Sequence, residues 1–206
     1  MSLSSRLISA ACIAALRVLT GVRAQWLGCG PASQPRIYFA NHSSHLDGVV
    51  IWSALPRTLR AHTRPVAARD YWDASPLRRF LASEVFGAVL IERKATGHAR
   101  GQVLEPLFDA LDRGDSLILF PEGTRGDGEA IAPFKSGLYH LARQRPAVEL
   151  VPVYLDKLHR VLPKGAALPV PLLCGLRFGA PLMLADGECR EPFLARARAA
   201  VEALRG

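Results

Sequence analysis

From Arg36 onward, short apolar runs alternate with segments of helical periodicity, and this alternation constrains the fold more than any other feature. The apolar runs that predict strands are 36–40, 63–68, 85–91, 116–120, 150–155 and 173–178. The segments that predict helices are 44–54, 104–111, 138–145 and 190–204, and 163–171 is loop-like. Strands that alternate with helices are typical of an α/β domain with a largely parallel sheet. We therefore expect one α/β domain over residues 29–206, with a mostly parallel sheet flanked by helices.

The segment 1–28 differs from the rest, because Leu7–Leu16 is an almost unbroken run of small or apolar residues with arginines on both sides. Such a run is too short to span a bilayer, which takes about 20 residues. A cleaved secretory signal has this length, but Val22-Arg23-Ala24 makes a poor cleavage site. The pattern favours a membrane-interface helix with flanking arginines. The alternative is an ordinary helix packed on the core.

The composition permits a folded core and suggests anionic partners. Half of the residues are hydrophobic, and the net charge is +8. A basic balance favours phosphate groups, acidic lipid surfaces or nucleic acid, although an arginine-rich composition bias explains the total charge equally well. No aromatic-rich RNA-binding motif or zinc-finger spacing is present, so we expect no nucleic-acid partner. The four cysteines are scattered, which indicates a reducing compartment, and we assign them no chemistry.

The sequence Asn41-His42-Ser43-Ser44-His45-Leu46-Asp47 lies where a predicted strand gives way to a predicted helix. Ligands bind at such strand ends in open α/β sheets. His42 and Asp47 can meet only if His42 precedes the helix and Asp47 lies in its first turn, and Ser44 as the N-cap would allow this. A neutral imidazole with a carboxylate partner suits general-base catalysis. The alternative is that Asp47 only caps the helix. His45 is a second, less favoured candidate for the base.

Three further segments carry polar residues at predicted strand or helix ends. Phe120-Pro121-Glu122-Gly123-Thr124-Arg125 follows a buried strand, and its glycine turn and donors suit an anion site. The run 87–93 ends in Glu92 and Arg93, and Lys135 precedes a helix start. Taken singly, each of these also fits a solvated turn.

In this order, the segments resemble the lysophosphatidate and glycerolipid acyltransferase family. The family motif N-H-x-S-x-x-D is present as Asn41, His42, Ser44 and Asp47, and F-P-E-G-T-R is complete at residues 120–125. A G-x-I-x-I-x-R-like strand occurs at 87–93, F-K-x-G at 134–137, and a proline between valines at 151–153. The resemblance covers roughly residues 30–185.

The resemblance implies that an acyl chain moves from a thioester, acyl-CoA or acyl carrier protein, to the free hydroxyl of lysophosphatidate. It implies His42 as the base and Asp47 as its partner. Substrate-binding or positioning roles fall to a longer set: Asn41, Ser44, Arg93, Glu122, Gly123, Thr124, Arg125 and Lys135. Glycerol 3-phosphate or a lyso-aminolipid remains open as the acceptor. No G-x-S-x-G elbow is present, so we expect direct transfer without a serine acyl-enzyme.

Two competing interpretations remain at this stage. A thioesterase or lipid hydrolase would use water with the same pair of residues, and a basic module without catalysis would bind membranes or nucleic acid. We expect no cofactor and no metal, because no set of ligands has a recognisable spacing. We also expect the protein to associate with the anionic surface on the cytoplasmic face of a membrane. In a bacterium, this would be the inner membrane.

Overall fold

A central sheet forms the framework of the protein. The structure is a computed structural model that describes residues 3–92, 103–156 and 174–206. Its strands are β1 (Arg23–Trp26), β2 (Arg36–Ala40), β3 (Thr63–Ala68), β4 (Val89–Ile91), β5 (Ser116–Leu119), β6 (Glu149–Leu155) and β7 (Gly175–Phe178). They form a seven-stranded sheet in the order β1-β7-β6-β2-β5-β3-β4. Neighbouring strands are parallel except β6 and β7, so the predicted mostly parallel α/β sheet is confirmed.

Helices cover both faces of this sheet. They are α1 (Leu3–Thr20), α2 (Asp47–Ala54), α3 (Arg57–Arg60), α4 (Arg69–Trp72), α5 (Pro76–Phe80), α6 (Glu105–Asp112), α7 (Gly137–Gln144) and α8 (Arg190–Glu202). A π-helical turn, Leu81–Val85, continues α5, and a 3₁₀ turn, Ala203–Arg205, continues α8. The buried apolar side chains of α2 join one core, and those of α6, α7 and α8 join the other.

Alternation along the central strands produces these two cores. Tyr38 and Ala40 of β2 belong to the core under α2, whereas Ile37 and Phe39 belong to the core under α6, α7 and α8. All five residues of β2 are buried, because this strand lies inside the sheet with helices on both faces. This burial fixes the position of the chain at the end of β2.

The parallel strands also fix where the polar motifs meet. β5 pairs with β2 on one side and with β3 on the other, and β4 pairs with β3. Parallel neighbours have their carboxyl ends at one edge of the sheet. The segments that follow β2, β3, β4 and β5 therefore converge at that edge.

Helix α1 packs on the domain and also exposes apolar side chains. Ile13 and Leu16 pack against the core, and the Arg17 guanidinium donates two hydrogen bonds to the Ser53 carbonyl at the end of α2. Leu7 and Val18 are 64% and 81% exposed. Within the described residues, no helix has both the length and the apolar character needed to cross a bilayer.

The structure corrects the bounds of several predicted elements. The predicted strand 85–91 is strand only over β4, because Leu81–Val85 forms the π-helical turn and Gly87, at φ +57°, ends it. The N-terminal helix ends at Thr20, and residues Arg23–Trp26 of the segment 1–28 form an edge strand that pairs with β7. The predicted loop 163–171 lies outside the described residues.

Candidate active site

His42 and Asp47 form a hydrogen-bonded pair at the carboxyl end of β2. The distance from His42 Nδ1 to Asp47 Oδ2 is 2.8 Å. The Asp47 side chain is fully buried, and the His42 side chain keeps 17% of its surface exposed. An ionised carboxylate can only accept, so Nδ1 carries the proton and Nε2 is the basic nitrogen.

The turn between β2 and α2 is built around the same carboxylate oxygen. Asp47 Oδ2 accepts hydrogen bonds from the main-chain N–H groups of Ser43, at 2.7 Å, and Ser44, at 2.8 Å. The helix begins at Asp47, so the prediction that Ser44 is its N-cap was wrong. Ser44 Oγ instead accepts a bond from the Leu46 N–H within the turn, at 3.3 Å. Because the carboxylate bends the chain back on itself, His42 lies before the helix and within reach of Asp47.

The loop after β5 holds the main chain of His42. Glu122 is buried, and its Oε1 accepts the His42 N–H at 2.7 Å while its Oε2 accepts the Ala132 N–H at 2.9 Å. The Gly126 N–H donates to the His42 carbonyl at 2.8 Å. The F-P-E-G-T-R segment and the N-H-x-S-x-x-D segment are therefore joined directly by hydrogen bonds.

Two neighbouring side chains complete the frame around His42. The Phe120 ring stacks on the His42 imidazole, with centroids 4.2 Å apart and planes 18° apart. The amide of Asn41 bonds the main chain of Leu155, accepting its N–H at 2.8 Å and donating to its carbonyl at 3.0 Å. Asn41 thereby links the carboxyl ends of β2 and β6, and both polar groups of its side chain are engaged there.

An apolar cavity of about 300 Å³ opens beside His42. Its walls include four leucine side chains: Leu104 just before α6, Leu107 in α6, and Leu138 and Leu141 in α7. Polar groups are few, and they include His42, Glu92 and Lys135. Such a space suits an alkyl chain with a reacting carbonyl near the imidazole.

A second, smaller cavity of about 90 Å³ also reaches His42, and we call it the polar cavity. It shares His42, Phe120 and residues 66–68 with the apolar cavity. Its other lining residues include His45, Tyr71 and Arg125. The two cavities therefore meet at the candidate base.

The turn after β5 carries three more of the predicted site residues, Gly123, Thr124 and Arg125. Thr124 and Arg125 are exposed in the turn after β5. Gly123 has φ +70°, and a Cβ placed there would stand 2.7 Å from Lys135 Nζ, so the lysine chain lies directly over this glycine. Arg93 lies outside the described residues, so its predicted role stays a prediction.

Sequence reasoning missed the residues that shape the cavities. Phe120 was part of the F-P-E-G-T-R motif at the end of a predicted strand, which was a usable signal, but no role was predicted for it. Tyr71 and the leucines of α6 and α7 carried no such signal, because an apolar residue at helical spacing looks the same whether it packs in a core or lines a cavity. No cluster of three metal-ligating side chains occurs within residues 3–92, 103–156 and 174–206.

The arrangement can remove a proton from a bound hydroxyl. His42 has a carboxylate on Nδ1, a ring held by Phe120 and a main chain held by Glu122 and Gly126. These contacts pre-organise a general base, which is a condition for efficient proton transfer.

Comparisons with known proteins show to which family the chain is similar. The family model described as Acyltransferase matches residues 27–156. The sheep protein 1-acyl-sn-glycerol-3-phosphate acyltransferase alpha is 34% identical over 144 residues, which are 68% of this chain and 47% of that protein. The 1-acyl-sn-glycerol-3-phosphate acyltransferase of Escherichia coli K12 is 30% identical over 123 residues, 57% of this chain and 45% of that protein. The chain spans about half the length of these curated relatives.

A solved structure has the same fold. The crystal structure of the 1-acyl-sn-glycerophosphate (LPA) acyltransferase PlsC from Thermotoga maritima superposes with a TM-score of 0.70 at 20% identity. The match covers 98% of this chain and 80% of that one. The family model spans more than half of the 206 residues and contains both members of the His42–Asp47 pair. On this basis, the chain belongs to the acyltransferase family.

Proposed function

We propose that the protein transfers a fatty acyl chain from an acyl thioester to the free hydroxyl of lysophosphatidate, giving phosphatidate for phospholipid biosynthesis. The observation that carries the proposal is the His42–Asp47 pair at the meeting point of an apolar and a polar cavity. The names of the curated relatives support the choice of acceptor.

The proposed reaction is a direct transfer. The acceptor hydroxyl gives its proton to His42 Nε2 while its oxygen attacks the thioester carbonyl carbon. The C–S bond then breaks, and the imidazolium returns the proton to the departing thiolate. Asp47 holds the productive tautomer and stabilises the imidazolium that forms. The products are an ester and a free thiol, so no cofactor is required.

We assign the two cavities to the two parts of the reaction. The apolar cavity takes an acyl chain, because its walls are mainly aliphatic. The polar cavity takes the phosphate end of the acceptor, because Arg125 can form a charge-assisted pair with phosphate oxygens. Holding the head group there brings the glycerol hydroxyl to His42, which is catalysis by positioning.

Several residues of the family motifs are assigned positioning roles. Asn41 fixes β6 to β2, Ser44 stabilises the turn before α2, and Glu122 holds the His42 main chain. Gly123 and Lys135 remain candidates for substrate contact, since both are exposed and line the apolar cavity. Thr124 remains a candidate because it is exposed in the same turn. The acyl donor is an acyl-CoA or an acyl carrier protein.

We also propose that α1 holds the protein on the cytoplasmic face of an anionic membrane. Its exposed apolar side chains, Leu7 and Val18, suit the interfacial region of a bilayer. The acceptor lysolipid resides in that region, so this placement brings the enzyme to its substrate.

The direct test is an acyl-transfer assay with labelled acyl-CoA and labelled acyl carrier protein. The acceptors offered are lysophosphatidate, glycerol 3-phosphate, a lyso-aminolipid and water. The proposal predicts labelled phosphatidate as the main product. Labelled free fatty acid at an equal rate without any acceptor would indicate a hydrolase, and preference for another acceptor would reassign the substrate.

A further inference from the structure

The side chains of His45, Tyr71 and Arg78 form a stacked column at the polar cavity. The His45 and Tyr71 rings are 4.5 Å apart between centroids, with planes 17° apart. The Arg78 guanidinium carbon lies 4.5 Å from the centre of the Tyr71 ring. His45 and Tyr71 both line the polar cavity, as does Arg125. The column joins three elements: the turn before α2, helix α4 and helix α5.

Tyr71 and Arg78 are held by contacts outside the column. Arg78 is fixed at its main chain by a bond from its N–H to Ser75 Oγ, at 3.3 Å. The Tyr71 N–H bonds Asp70 Oδ1 at 3.0 Å, and Trp72 packs edge-on against the Tyr71 ring. A guanidinium over an aromatic face is attractive. Tyr71 therefore offers His45 a braced ring to stack on.

The charges around the polar cavity favour an anion. Its lining contains the cationic Arg125 and two histidines, His42 and His45, and no carboxylate occurs among the described residues that line it. The apolar cavity differs, because Glu92 lines it. Imidazole N–H and guanidinium groups are good donors to phosphate oxygens.

We propose that His45, positioned by Tyr71 and Arg78, binds the phosphate monoester of the acceptor together with Arg125 and so determines acceptor specificity. The inference rests on the proposed function, since it names the part of the acceptor that this cavity recognises. His45 contacts the ligand, and Tyr71 is a positioning residue that acts through the His45 ring.

A binding measurement tests the subsite without turnover. Calorimetric titration with glycerol 3-phosphate should give a dissociation constant for the wild-type protein that rises about tenfold or more in His45→Ala, as for loss of one hydrogen bond to a charged group. His62→Ala is the matched control, because His62 is an exposed histidine that faces Asp115 instead. Equal affinity of wild type and His45→Ala, or no binding by the wild type, would overturn the subsite.

Kinetics separate this inference from the proposed function. The ratio of kcat/KM for lysophosphatidate to kcat/KM for monoacylglycerol should fall about tenfold or more in His45→Ala. An unchanged ratio in an active enzyme overturns the role of His45 and leaves the proposed function standing. A wild type that acylates no lysolipid overturns the proposed function, while the titration still decides whether the cavity binds the phosphate.

The positioning role of Tyr71 has its own readout. Tyr71→Leu removes the ring on which His45 stacks, and it should raise the dissociation constant for glycerol 3-phosphate severalfold. Tyr71→Phe keeps the ring and should restore the affinity. If Tyr71 only stabilised the fold, Tyr71→Leu would lower the melting temperature without changing the affinity of the folded protein, which would contradict the inference.

Discussion

A single carboxylate oxygen, Asp47 Oδ2, organises the candidate site at the scale of residues. It accepts the His42 Nδ1–H and two main-chain N–H groups, while Oδ1 has no partner among the described groups. The same atom therefore shapes the turn and orients the imidazole. The alternative that Asp47 caps the helix is wrong, because the N–H groups that it accepts precede α2 and build the turn instead. Its role as the partner of a catalytic base stays a prediction.

The substitution Asp47→Asn tests this double role. An amide cannot hold the His42 tautomer as an ionised carboxylate does, so kcat should fall on the order of 100-fold or more. The melting temperature should also fall, because the bonds to Ser43 and Ser44 are weakened. Both quantities are measured on the purified protein. A loss of stability with normal turnover per folded molecule would leave Asp47 with the structural role alone.

Arg125 is the exposed cation of the polar cavity. We expect Arg125→Ala to raise the acceptor KM strongly, to lower kcat as well, and to leave donor binding nearly intact. Arg125→Lys should restore activity only in part, because lysine lacks the planar fork that matches phosphate oxygens. Steady-state kinetics with each substrate varied in turn provide the measurement. Equal losses for donor and acceptor would show that Arg125 only braces the turn.

At the scale of elements, the buried strands followed their sequence patterns closely. β2, β5 and β6 were predicted within one residue, because a short apolar run between turn signals has few other ways to be buried. β1 was missed, since only four residues at the sheet edge show a weak alternation. The predicted start of α2 was three residues too early. The Asp47 carboxylate accepts the main-chain N–H groups of Ser43 and Ser44, which holds these residues in a turn, and local helix propensity does not encode this contact.

The sequence predicted which polar residues come together at the candidate site, but it did not predict the cavities beside them. The order of the motifs and the parallel sheet sufficed to place His42, Glu122 and Arg125 at one edge. The apolar cavity depends on how α6 and α7 pack beside β5, and periodicity does not determine that packing. The column of His45, Tyr71 and Arg78 likewise joins three segments that no local pattern relates.

The link between β2 and β6 gives a prediction about stability. Asn41→Ala removes both bonds to Leu155 and leaves a buried N–H and carbonyl unpaired, which should cost about 2–3 kcal/mol in the free energy of unfolding. Urea denaturation measures the change. Gln34→Ala is a suitable control, because its amide makes one exposed bond of 3.4 Å and its loss should cost less than about 0.5 kcal/mol. Equal midpoints for the two variants would contradict the role of Asn41.

At the scale of the whole molecule, α1 forms an apolar, exposed surface on a protein with a net charge of +8. This combination favours adsorption to an anionic bilayer, with apolar side chains in the interface and basic groups near the lipid phosphates. Under the proposed function, the protein would then act on a lysolipid that stays in the membrane.

The double substitution Leu7→Ser with Val18→Ser tests that surface. Both side chains are exposed, so the fold should survive, whereas binding to anionic liposomes should weaken about tenfold or more. Co-sedimentation measures the bound fraction. Met183→Ser serves as the control, since Met183 is an exposed apolar residue outside α1. If the double variant and the control sedimented alike, another surface would hold the protein on the membrane.

The proposed acyl transfer depends on His42 acting as the base. The most direct measurement is the initial rate of labelled acyl transfer from a thioester to lysophosphatidate by His42→Ala, compared with wild type and normalised to folded protein. We predict a rate on the order of 100- to 10,000-fold lower with an unchanged thermal melt, because removing a general base costs about that much. A folded His42→Ala protein that transfers acyl chains at nearly the wild-type rate would show that His42 is not the base.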